Sequence, residues 1–129
     1  MPHDLLTEEA INLREILYEM ESRLEAEDYA PTFANQYLLK LIDQACKACV
    51  ALGETFIGKP KQAQDFLVFQ QLVELQVIDA ALSKRLLSMI AFRKLSQQAA
   101  RIQGKNIKLR FTPRHLEDFR TFTQNLLLA

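Results

Sequence analysis

Leu6, Ala10, Leu13, Leu17, Met20 and Leu24 follow one another at spacings of four, three, four, three and four residues. On a helix of about 3.6 residues per turn that spacing puts all six on one stripe, whereas on a strand it would scatter them over both faces. The start of the chain is thereby committed to an amphipathic helix, expected from about Thr7 to Glu27, whose stripe must be covered by other elements. The remaining vocabulary agrees. Three glycines and four prolines in 129 residues leave few breakers, and the common residues are helix formers, so the expected class is all-α. A chain of this length has room for one core and is short for two, so one domain over residues 1–129 is expected.

Four further helices follow from the pattern. Pro31, in "DYAPTF", breaks the first helix and is expected to open the second, which runs to about Phe56. Leu38, Leu41, Ile42, Ala45, Cys46, Cys49 and Leu52 give that helix a face broad enough for more than one neighbour. "GKPK" at 58–61 reads as a turn, and "DFLVFQQLVELQ" as a shorter helix with Phe66, Phe69, Leu72 and Val73 inward. Asp79 is the expected N-cap of a fourth helix, which turns Leu82, Leu86, Met89, Ile90 and Phe92 to the core and ends at Gly104. Thr112 as cap and Pro113 at the first helical position open the last, with Leu116, Phe119, Phe122 and Leu126 as its stripe. Short connections make successive helices antiparallel, so the expected architecture is an up-and-down bundle of four long helices plus a short one.

The formal net charge is zero, but residues 1–30 hold nine acids and two bases while residues 80–129 hold two acids and ten bases. Arg93, Lys94, Arg101, Lys105, Lys108 and Arg110 fall in one stretch without an acid, a pattern suited to phosphate or to an acidic protein surface. Equally, the basic half can pack beside the acidic first helix, within one chain or across a dimer. No apolar run approaches the roughly 20 residues that cross a bilayer, and the acidic start "MPHDLLTEEA" is unlike a signal peptide. A soluble cytoplasmic protein is expected, with no membrane partner.

Two motifs mislead. "GETFIGKP", from Gly53, nearly matches the phosphate-cradling G-x-x-x-x-G-K-[ST], but Pro60 replaces the magnesium-binding hydroxyl and the segment ends a helix instead of following a strand. Cys46-Lys-Ala-Cys49 has the spacing of a redox pair or half a zinc site. A redox pair sits at a helix N-terminus, yet here turns of helix precede it, and the two histidines, His3 and His115, have no ligand-like spacing. Buried reduced thiols are expected, with no metal and no cofactor.

Read along its length, "YLLKLIDQACKACVALGETFIGKP", then "DFLVFQQLVELQVIDAALSKRLLSMIAFRK", then "PRHLEDFRTFTQNLL", the chain resembles the HepT-like branch of the HEPN superfamily over about residues 5–128. The most specific part is "LQVIDAALSKRLLSMIAFR", similar to that family's approach to its motif. The resemblance implies a small helical protein that acts with a minimal nucleotidyltransferase as a toxin–antitoxin pair. Active members carry Arg, then a small polar residue, then His five residues after the Arg and often Tyr two further on. They cleave RNA without metal, with two motifs facing each other across a homodimer. Here Arg93 matches the arginine, Lys94 stands at the small polar position, Gln98 replaces the histidine and Ala100 the tyrosine to which the partner attaches AMP.

A glutamine amide exchanges no proton near neutral pH, and loss of a general acid–base group costs about 10²–10⁴-fold in rate. The reading favoured by the sequence is therefore a degenerate HepT-like homodimer, joined near Arg93 in the fourth helix, that binds a nucleotidyltransferase partner or RNA through its basic stretch. The alternative is an active HEPN endoribonuclease with a rearranged site of Arg93, Lys94 and His115.

Overall fold

The computed structural model describes residues 2–58, 64–104 and 108–129, with side chains from Leu5 onward. Within them the order is α1 (Pro2–Ala26), β1 (Thr32–Phe33), α2 (Gln36–Ile57), α3 (Asp65–Glu74), α4 (Ala80–Gln103), β2 (Arg110–Phe111) and α5 (Pro113–Leu128). The protein is an all-α bundle of four long helices and one short one, α3. No described helix is long and apolar enough to cross a membrane.

The stripe of α1 is buried from Ala10 through Leu24. The helix begins at Pro2, earlier than the expected Thr7, and ends where Asp28 and Tyr29 turn left-handed, with the Tyr29 N–H donating to the Leu24 carbonyl at 2.7 Å. Glu9 accepts from the Thr55 hydroxyl near one end of α2, and Arg23 stacks over Tyr37 at the other, so α1 and α2 run antiparallel. Beside α1 lies α5, joined to it by the Arg120–Glu21 ion pair. The acidic first helix thus meets one base of the C-terminal half at the bundle surface, although α5 itself balances Arg114 and Arg120 against Glu117 and Asp118.

Pro31 does not open the second helix. It leads into β1, which pairs antiparallel with β2 in the register Thr32 to Phe111 and Phe33 to Arg110, and the Ala34 N–H extends the ladder to the Leu109 carbonyl at 2.8 Å. Asn35 starts α2 instead, its Oδ1 accepting the Leu38 N–H at 2.8 Å. The proline fixes its own φ and pushes the residue before it toward extended backbone, neither of which demands a helix, while Thr and Phe suit a pleated pair better than a first helical turn.

Gly53 sits where α2 meets α3. A Cβ there would lie 2.9 Å from Val68 Cγ1 and 3.2 Å from Leu72 Cδ1, so its bare backbone admits the third helix. That contact also corrects an expectation. Phe66 is 60% exposed, whereas Val68, Phe69 and Leu72 are buried. The buried stripe of α3 is centred on Val68 and Leu72 at Gly53, which leaves Phe66 roughly a third of a turn off it. Asp79 caps α4 by accepting the Leu82 N–H at 2.7 Å, and Gly104 ends it at φ 64°. The stripe of α5 is buried throughout, and its Phe122 meets Phe69 with ring centroids 5.4 Å apart.

Candidate functional site

Arg93 lies on the side of α4 that faces α2, and it is only 8% exposed. Its guanidinium reaches Asp43 on α2, Nε to Oδ1 at 2.7 Å and Nη2 to Oδ2 at 2.9 Å. One turn later Gln97 donates its amide to the same Oδ2 at 2.9 Å. Lys94 turns toward α3 and pairs with Asp65 at 2.6 Å. These groups, with Cys46, Lys47, Val50 and Ile90, line a cavity of about 240 Å³. The hydrogen bond to Asp43 holds the Arg93 pKa above its ordinary value, against the opposing effect of burial. The arginine is thus fixed as a cation whose fork already holds a carboxylate.

Gln98, the position at which the resemblance expects a histidine, points elsewhere. Five residues along a helix is a rotation of about 140° from the starting side chain, so Gln98 leaves the cavity and is exposed, as is Ala100. Gln98 shares its outward face with Ala91, Leu95 and Ile102, at spacings of four, three and four. Leu95 is 63% and Ile102 78% exposed.

The basic stretch divides in three. Arg93 and Lys94 are neutralised by Asp43 and Asp65. Arg101 is exposed in the last turn of α4, where a cation suits the helix dipole. Lys108 and Arg110 are exposed at the ribbon, and Lys105 lies outside the described residues.

His115 is not among the residues lining the Arg93 cavity. It is the third residue of α5, and its Nδ1 accepts the Thr112 N–H at 3.1 Å, the role a Glu or Gln side chain takes in a capping box. Its ring lies 5.6 Å from that of Phe111. Burial lowers its pKa, opposed by Asp118, so the ring that receives this hydrogen bond is kept neutral.

Both cysteines are buried free thiols. Burial, helped by nearby Asp43, pushes the Cys46 thiol up to about 12, and burial raises Cys49 well above its ordinary value. No group of three or more His, Cys, Asp or Glu among the described residues is arranged to hold a metal ion. The two glycines of "GETFIGKP" have structural uses: Gly53 admits α3, and Gly58 ends α2 at φ 70°.

Asp43 and Asp65 are the partners at this cavity that sequence reasoning passed over. The only signal for Asp43 is its place beside the apolar face of α2, one residue after Ile42. No protein-family model, curated protein or solved structure matches the chain.

Proposed function

We propose that the protein is a HEPN-like, HepT-type helical subunit that works by binding and does not cleave RNA. It pairs as a homodimer through the outer face of α4, and it meets a minimal nucleotidyltransferase partner or RNA through the cations beyond Lys94. The observation that carries this reading is the Arg93–Asp43 fork, because the sole retained motif residue spends its phosphate-binding edge on a carboxylate of the same chain. Gln98 has no proton to exchange near neutral pH, and the only histidine with a described side chain, His115, caps α5. A rearranged nuclease site of Arg93, Lys94 and His115 has correspondingly less support. The apolar stripe Ala91, Leu95 and Ile102 supports pairing through α4, since exposed Leu and Ile at helical spacing favour a partner helix.

Purified protein incubated with RNA tests the reading. No cleavage above background is expected from the native chain, and Lys94→Asn with Gln98→His is the variant in which cleavage is sought. Specific cleavage by the native protein that vanishes in Arg93→Ala overturns the proposal.

A further inference from the structure

The ribbon of β1 and β2 fixes which side chains share a surface. Residues directly opposite in an antiparallel pair point to the same side, as do alternate residues along one strand. Phe33 stands opposite Arg110, and Lys108 precedes Arg110 by two, so all three project from one side of the ribbon. Burial follows the same alternation: Leu109 and Phe111 are anchored in the core, while Lys108 and Arg110 are exposed. Phe33 is 61% exposed, and the Lys108 ammonium is held 5.7 Å from its ring centroid, within cation–π reach. Neither Lys108 nor Arg110 is in an ion pair among the described residues, in contrast to Arg93 and Lys94.

A single exposed aromatic residue is ordinary. Here it is flanked on one face by two cations without counter-charge, and that face is pinned to the core from beneath. The combination matches unpaired nucleic acid, which presents flat base faces for stacking beside phosphates for cations. A duplex hides its base faces and would use only the charges. We infer that Phe33, Lys108 and Arg110 form a platform on which one unpaired base of a single-stranded RNA stacks, with the two cations on its phosphates. This inference rests on the reading of the protein as a binding subunit and names the ligand that reading leaves open.

Fluorescence anisotropy with a short labelled oligouridylate and a duplex RNA of equal length, each over a salt series, tests it. Phe33→Ala should weaken single-strand binding about tenfold, leaving duplex binding and the salt slope unchanged, and Phe33→Tyr should restore it. Changing Lys108 and Arg110 together to Ser should reduce the log–log salt slope by about 1.4, at about 0.7 per phosphate. A strand carrying 5-iodouridine should photocrosslink at Phe33. Absence of oligouridylate binding at the lowest salt overturns the platform and points to a protein ligand for these cations. Equal loss of single-strand and duplex binding in Phe33→Ala overturns stacking, and circular dichroism of the variant keeps misfolding from counting as either. Cleavage of the strand during titration would sink the non-catalytic reading alone, whereas an intact strand that fails to bind sinks only the platform.

Discussion

The Arg93 guanidinium and the Asp43 carboxylate meet edge to edge, with two hydrogen bonds of 2.7 and 2.9 Å linking α4 to α2. Both side chains are largely shielded, at 10% and 21% exposure, so neither charge can be abandoned cheaply. Asp43→Ala and Arg93→Ala should each destabilise the fold by about 2–3 kcal/mol, because each strands a partly dehydrated charge. Arg93→Met with Asp43→Leu should recover most of that loss, and Arg93→Lys should not, having no planar fork. Urea midpoints at constant m-value measure all four.

Gly53→Ala should destabilise the protein by about 1 kcal/mol net, although alanine is the better helix former. The added methyl meets the stiff, β-branched Val68 at 2.9 Å, and overpacking of this kind costs about 1–3 kcal/mol. Adding Val68→Ala should make Gly53→Ala less costly than it is alone, as a double-mutant cycle of thermal or urea unfolding would reveal.

Histidine 115 should give stability a pH dependence. Its ordinary value is 6.5 and burial lowers it in the folded state, with Asp118 as the opposing charge. Above that ordinary value both states are neutral and the contribution is complete. As pH falls below it, the unfolded chain takes up the proton first, and stability is lost until pH passes the folded value. His115→Gln keeps an acceptor for the Thr112 N–H and should flatten this part of the profile, measured by denaturation from about pH 7.5 to about pH 5.

Dimer formation should depend on the outer face of α4. Sedimentation of the native chain at micromolar concentration should report a dimer, and Leu95→Glu with Ile102→Glu a folded monomer. A native monomer would remove the pairing from the proposed function.

Native protein should resist thiol reagents at both cysteines, since a thiol pushed up to about 12 holds almost no thiolate near neutral pH. Labelling should appear only with denaturant. Rapid labelling of the folded chain would show that α2 and α4 separate readily at the Arg93 cavity.

Local signals carried much of this architecture, and relations between distant segments did not. Asp79, Gly104, Thr112 and Pro113 mark helix ends through their own chemistry, and the stripes of α1 and α5 repeat often enough to define a face. The ribbon left no trace, because two residues have no periodicity and their partners lie most of the chain away. Phe66 misled because several stripes can be drawn on a ten-residue helix, and Gly53 on another helix decides which is buried. At the candidate site, the bases Arg93 and Lys94 and the glutamine at 98 were legible. Their neutralisation depended on the register of α2 against α4, which sets Asp43 opposite Arg93.

The β1–β2 pairing also orders events during synthesis of the chain. Thr32 and Phe33 leave the ribosome long before Arg110 and Phe111, so until those follow the first strand lacks its partner. The surface carrying Phe33, Lys108 and Arg110 comes into being only after the second strand has followed the first out of the ribosome. A chain that stops before Lys108 lacks it, so any ligand of that surface recognises only a chain whose two strands have paired and, by binding it, favours the folded state.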